Sequence, residues 1–199
     1  TGAVFMYFMI TFGILLISPL RRRWFVVALL IGGVLLSFLL FLFFFQQERF
    51  IDLVGTDVFY RIDRILDWRK GEGLQLENSL TSIGSSGFWG HGYNQTPLYF
   101  PESGTDFIFS VFASNFGFIG SVFLLLLFLW FDTHVLQIAK NTKSTTNKYI
   151  IVGFLFMFCY QQVQNISMTL GLLPITGITL PFISYGGSSL LSYFIMVGI

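Results

Sequence analysis

The chain has 199 residues, 54% of them hydrophobic and only 11% charged, with a mean hydropathy of +0.75. A soluble domain carries about 25% charged residues, so the composition excludes an ordinary water-soluble fold and indicates an integral membrane protein. A net charge of +1 gives no electrostatic basis for a nucleic-acid partner, and one cysteine, Cys159, rules out an internal disulfide.

A membrane-crossing helix needs roughly 20 apolar residues. In chain order, spans are predicted at about 2–17, 24–45, 107–131, 149–172 and 188–199. The first is closed by Pro19 and by Arg21, Arg22 and Arg23, and the last is cut off at Ile199. Thr1 and Ile199 both fall inside apolar runs and no initiator Met or signal peptide is visible, so an internal piece of a longer polytopic protein is expected. The expected fold class is an all-α integral membrane protein, a polytopic helix bundle forming a single membrane domain.

Basic residues fix the orientation. The loop 18–23 carries three arginines, and the loop 132–148 carries Lys140, Lys143 and Lys148 against Asp132, so both read as cytoplasmic. The loops 46–105 and 173–187 then lie on the extracytoplasmic face. Nine of the ten acidic residues, all but Asp132, lie between Glu48 and Asp106.

The stretch 46–105 does not read as one flexible loop. Phe59, Ile62, Ile65 and Leu66 recur at helical spacing among charges, as in a helix lying on a membrane surface. Further on, "SIGSSGFWGHGYNQTPLYFPESGT" is rich in turn signals, and long loops of that kind are frequently functional.

Asp106 stands at the edge of a stretch without formal charge, Phe107 to Phe131, where an ionised carboxylate is costly. One account is structural: Thr105 caps the helix and Asp106 sits in its first turn, favoured by the helix dipole. The other is functional: a carboxylate held ionised at the membrane boundary accepts a proton or holds a metal ion. Glu102 makes an acidic pair with it, suited to a divalent cation carrying pyrophosphate oxygens, or is simply solvated. Gln161, Gln162, Gln164 and Asn165 sit late in a span, bonding between helices or lining a substrate groove. "LGLLPITGITLPFISYGGSS" cannot continue a helix and must be buried or line a cavity at membrane depth. Its end, Ser184, Tyr185, Gly186, Gly187, Ser188 and Ser189, offers hydroxyls and backbone N–H groups as an anion cradle. Arg61, Arg64, Arg69 and Lys70 either meet lipid phosphates or form a solvated ion-paired face. His91 and His134 have no ligand-spaced companions and read as incidental.

From Asn165 through Gly171, Pro174, Gly177, Ser184, Tyr185 and Gly187 to Ser189 the sequence resembles the SEDS (shape, elongation, division and sporulation) family of RodA/FtsW/SpoVE type. "SIGSSGFWGHGY", "FPESGTDFIFSVFASNFGFIG" and "YRIDRILDW" resemble further segments of that family, so the likeness covers essentially the whole chain. It implies about five membrane helices of a roughly ten-helix protein, the C-terminal half, with a surface helix in the long loop.

The resemblance also implies a multi-pass protein of the bacterial cytoplasmic membrane. It would polymerise lipid II, the undecaprenyl-pyrophosphate-linked precursor, into glycan strands for cell shape or division, with its active site on the extracytoplasmic face. Implied partners are a class B penicillin-binding protein transpeptidase, divisome or elongasome proteins, and membrane lipid. Asp106 maps to the catalytic aspartate. Arg61, Arg64, Glu102, Thr105, Gln162, Asn165 and the Ser184–Ser189 segment would line the substrate path, and Asp106 and Glu102 are candidate ligands for Mg2+ or Mn2+. Alternatives are a lipid II flippase and a non-catalytic scaffold for the transpeptidase. The sequence departs from the family pattern at Ser114 and Asn115, where two acids are usual, and at His91, where Lys is common.

Overall fold

The computed structural model describes residues 2–19, 22–56, 58–60, 73–98 and 101–198. Of the residues that mark the predicted surface helix, Phe59 is described, whereas Ile62, Ile65 and Leu66 lie outside these residues, as do Arg61, Arg64, Arg69 and Lys70. Regular structure among the described residues is helical with no strand: α1 Gly2–Ile17, α2 Arg22–Phe45, α3 Gln47–Val54, α4 Gly73–Ser85, α5 Ile108–Asn141, α6 Thr145–Thr169 and α7 Gly187–Val197. Helices α5 and α6 are long and apolar enough to cross a membrane; Gly2–Ile17, Leu30–Phe45 and Gly187–Val197 are shorter apolar segments.

The chain divides into two compact units. Residues 17–71 form one, and 1–16 with 72–199 form the other. In the first, α2 is followed by α3 after a break at Gln46. Phe43 stacks edge-on with Phe50 at 5.5 Å and lies 4.9 Å from Phe59, and Leu42 completes this small buried cluster.

The larger unit is built on α5 and α6. Phe109, Ala113, Leu124 and Phe128 of α5 pack with Leu180 to form its main core. A second cluster joins Met157 and Phe158 of α6 to Tyr193 of α7, with Phe131 and Phe182 against them. Phe182 holds φ of +62°, a strained value for a bulky residue. Its ring lies 5.7 Å from Phe131 and Phe158 and 5.3 Å from Tyr193, contacts that fix it there. Helix α1 meets α6 through glycines in both directions. A Cβ on Gly13 would strike Phe156, and one on Gly153 would press on Ile10 and Ile14.

Helix α5 runs past the expected end of its span at Phe131 to Asn141, so the connection to α6 is short. Helix α4 occupies part of the supposed polar loop. Its Leu76 and Leu80 lie against Gly171, and its buried Ser79 donates to the Thr169 carbonyl at 2.8 Å and meets the Ser110 hydroxyl at 2.5 Å. Small hydroxyl residues at this seam let α4, α5 and α6 approach closely.

The sequence reads 107–131 as one uninterrupted span, but α5 is broken at Gly117, where φ is +66° and ψ −163°. The loop after α4 is spliced into the break. Phe118 N–H donates to Gly87 O at 3.0 Å and Ile119 N–H to Phe88 O at 3.2 Å. In return the carbonyls of Ser114 and Asn115 accept from His91 N–H at 2.9 Å and Gly92 N–H at 3.1 Å. Those are the four backbone groups that a regular helix would pair with each other. Gly90 and Gly117 sit at the crossing: a Cβ on either would collide with backbone of the other's segment.

Gly117→Ala and Gly90→Ala therefore lower the thermal unfolding midpoint of the purified protein, by an amount equivalent to about 1–3 kcal/mol each. Gly84→Ala, in α4 with open space around it, leaves the midpoint unchanged or raises it. An unchanged midpoint in both crossing variants would contradict the splice.

Candidate functional site

The turn Pro101–Phe107 carries Glu102, Thr105 and Asp106. Glu102 adopts φ of +60°, and its carbonyl accepts the N–H groups of Thr105 at 3.2 Å and Phe107 at 3.1 Å. The Thr105 hydroxyl donates to Glu102 Oε2 at 2.5 Å. Thr105 is thus not a helix cap, and Asp106 is not in the first helical turn. Helix α5 begins at Ile108 with Phe107 in the cap position and no side-chain cap. The reason lies in the carbonyls of Thr105 and Asp106, which are turned toward side chains from elsewhere in the chain.

Those side chains are Ser184 and Asn165. Ser184 Oγ donates to Thr105 O at 2.7 Å while accepting the N–H of Leu180 at 2.7 Å. Asn165 Nδ2 donates to Asp106 O at 2.8 Å and to Ile178 O at 2.7 Å. Both neighbours are acceptors, so the amide can face only one way. Tyr185 N–H adds a bond to Gly104 O at 2.9 Å. The 101–107 turn, α6 and the 174–187 segment therefore meet around Asp106. Asn165 is fully buried, and its Oδ1 finds no partner among the described residues; nor does Thr176 Oγ1.

The Asp106 carboxylate is half-buried and lies against Gly177. A Cβ there would stand 3.4 Å from Oδ2, and Gly177 has φ of +69°. Burial pushes the Asp106 carboxyl above the usual carboxylate range, and the negative charge of Glu102 pushes it further in the same direction. Two carboxylates that repel each other across a short turn attract a cation. Oxygen donors of this kind suit Mg2+ or Mn2+, which commonly use one or two carboxylates and complete their shell with water and phosphate. Among the described residues there is no cluster of three or more His, Cys, Asp or Glu side chains.

Of the other predicted site residues, Gly186 caps α7 and its carbonyl accepts from Ser189 Oγ at 3.0 Å, with Gly187 and Ser188 opening the helix. The Tyr185 side chain is exposed. Gln162 is not among the groups bonded to the Asp106 turn; its Nε2 donates to Asp132 Oδ1 at 3.3 Å. Asp132 lies within α5 instead of in a loop, and also accepts from Cys159 Sγ at 3.6 Å. Both line a cavity of about 280 Å3 between α5 and α6. His91 is not incidental either: its Nδ1 lies 3.1 Å from Ser114 O and 3.2 Å from Ser114 Oγ. Two of the positions that depart from the resembled pattern thus touch each other. The third, Asn115, accepts from the Thr96 hydroxyl at 3.0 Å through its Oδ1. The signal available in the sequence was a pair of glycine-flanked segments, "WGHG" and "NFGF".

Comparison with known proteins identifies the group to which the chain is similar. A family model described as cell cycle protein, FtsW/RodA/SpoVE, matches residues 1–199. Stage V sporulation protein E of Bacillus subtilis (strain 168) is 37% identical over 167 residues, covering 75% of this chain and 46% of that protein. Peptidoglycan glycosyltransferase RodA of Treponema pallidum (strain Nichols) is 40% identical over 131 residues, 64% of this chain and 30% of that one. A solved structure described as "Structural coordination of polymerization and crosslinking by a peptidoglycan synthase complex" superposes with a TM-score of 0.73 at 26% identity, covering 99% of this chain and 53% of its own. The chain spans less than half the length of these curated relatives. The match of the family model over residues 1–199 decides the assignment: the chain belongs to the FtsW/RodA/SpoVE family of cell cycle proteins.

Proposed function

We propose that the whole protein is a peptidoglycan glycosyltransferase that polymerises lipid II, with Asp106 as general base. The observation that carries this reading is the Asp106 carboxylate, half-buried beside Gly177 and Glu102 in a turn fixed by Asn165 and Ser184. The names of the relatives, several of them peptidoglycan glycosyltransferases, support it.

In the reaction, a sugar hydroxyl of one glycan attacks the anomeric carbon of the other. The hydroxyl proton passes to the Asp106 carboxylate as the new C–O bond forms. The bond from the anomeric carbon to phosphate oxygen breaks, and its electron pair leaves with undecaprenyl pyrophosphate. A base serves best when its pKa is drawn toward the working pH, which is the direction in which burial and Glu102 move Asp106. Glu102 and Asp106 would hold a Mg2+ or Mn2+ ion, which when bound supplies positive charge to the departing pyrophosphate. Arg61 and Arg64 are proposed as further contacts to phosphate. The turn lies on the extracytoplasmic face of the cytoplasmic membrane in this reading, following the arginine and lysine distribution. A penicillin-binding transpeptidase is the proposed partner, in keeping with the peptidoglycan synthase complex to which the chain is similar in fold.

Asp106→Asn and Asp106→Ala in the intact protein lower glycan-strand formation from purified lipid II by at least about a hundredfold, with membrane insertion unchanged. Polymer at the native rate would remove the base assignment from Asp106.

Glu102 supplies a pH test. The folded-state pKa of Asp106 is raised, so its protonated form is favoured, and activity climbs only as pH rises through that raised value. With divalent cations removed by chelation, Glu102→Gln removes the second cause and keeps the first. The acid limb of the pH–rate profile then moves to lower pH. A limb that stays in place or moves up would contradict the coupling.

A further inference from the structure

The splice at Gly117 puts a loop at an unexpected depth. Residues 107–131 carry no formal charge and are bounded by Asp106 and Asp132. At about 1.5 Å per residue they extend about 37 Å, against a hydrocarbon thickness of about 30 Å. If residues 107–131 supply the crossing at close to helical rise, residues 114–119 fall roughly 3–18 Å below the Asp106-side boundary of the hydrocarbon. The segment 87–92 is bonded to those residues and shares their depth.

Non-helical backbone survives at such depth only if its polar groups are satisfied by protein. The splice meets that requirement for both strands of the crossing. Gly87 O, Phe88 O, His91 N–H and Gly92 N–H are paired with the four groups freed by the break in α5, and Gly90 N–H is paired with Ser86 O at 2.9 Å.

The composition of the segment points the same way. From Asn78 to Pro101 there is no Asp, Glu, Lys or Arg, although acids and bases crowd the residues before it. Its large side chains are nevertheless exposed: Phe88 68%, Trp89 81% and Tyr93 82%. They continue the exposed apolar face of α5. Phe88 meets Phe118 edge-on at 5.9 Å, and Phe118 and Phe123 are themselves exposed. In water such a surface would be a liability; at membrane depth acyl chains cover it. Trp and Tyr favour the boundary between hydrocarbon and headgroups.

We propose that residues 86–95 form a re-entrant element, held by α5 inside the leaflet on the Asp106 side, whose Phe88, Trp89 and Tyr93 contact lipid. The element anchors the first part of α5, and so sets the height of the Asp106 turn above the hydrocarbon. Only the identity of that leaflet rests on the orientation given above for the glycosyltransferase; the depth does not.

The test uses the intact protein with Trp89 as its sole tryptophan, in vesicles of phosphatidylethanolamine and phosphatidylglycerol. Trp89 emission is expected to be blue-shifted, and lipids brominated high on the acyl chain should quench it more strongly than lipids brominated at the chain end. Emission at the wavelength of water-exposed indole would overturn the proposal. So would a blue shift without quenching, which would mean that another protein surface covers the loop. Should the sole-Trp protein fail to fold, Trp89→Cys with an environment-sensitive fluorophore, in a chain with Cys159→Ser and every other cysteine likewise replaced, gives the same reading. Neither readout needs turnover, so this proposal and the catalytic one can fail separately.

Discussion

One side-chain amide joins the parts of the larger unit that matter for chemistry. Asn165, fully buried near the end of α6, donates from a single nitrogen to the carbonyls of Asp106 and Ile178. Left without those donors, two backbone carbonyls would face an apolar bundle, and each unpaired buried group costs about 1–3 kcal/mol. Polar groups between membrane helices are retained where they satisfy something. Here they satisfy backbone that has left the helix. Ser184 repeats the device one residue away, giving its hydroxyl to Thr105 O while taking Leu180 N–H. Asn165 and Ser184 therefore act by positioning: their bonds run to the backbone of the Asp106 turn and of the Pro/Gly-rich segment, which leaves the carboxylate itself for chemistry.

Backbone satisfaction also explains the glycines. Gly117 breaks a long apolar helix, and Gly90 lets a second backbone enter the gap without a side chain to obstruct it. The four freed groups are then paired across the crossing. The first turns of α5, which follow directly from Asp106, are thus clamped from two sides: by α4 and its loop at Ser79–Ser110 and the Gly117 splice, and by α6 through Asn165. A turn held this way keeps its carboxylate half-buried beside a second acid, although burial and repulsion both oppose its charge.

Composition and charge were enough to read an all-helical apolar chain and the cores of α5 and α6, because long uncharged runs have few other solutions. They end the span at Phe131, whereas the helix runs on to Asn141, and Gln162 and Cys159 satisfy the Asp132 carboxylate within it. Helix α4 was hidden by its serines, which are buried at a seam instead of exposed to water. Spacing alone offers a capped helix start at Thr105, since nothing local reveals that Asn165 and Ser184, 59 and 79 positions away, take the carbonyls on which that helix start depends. The grouping of Asp106 with the Asn165–Ser184 region came from the resemblance to a family, not from periodicity. His91 and Ser114 could not be paired on sequence, because the contact exists only through the break at Gly117.

The central claim is that the Asn165 amide holds the Asp106 turn in working position. Asn165→Asp keeps the size and shape of the side chain and replaces its donor with an oxygen facing two carbonyls. Lipid II polymerisation by the intact Asn165→Asp protein, measured alongside its thermal unfolding, tests that claim most directly. The account predicts that kcat falls by at least about tenfold with little change in KM, in a protein that still inserts and unfolds cooperatively. Polymerisation at the native rate by Asn165→Asp would contradict it.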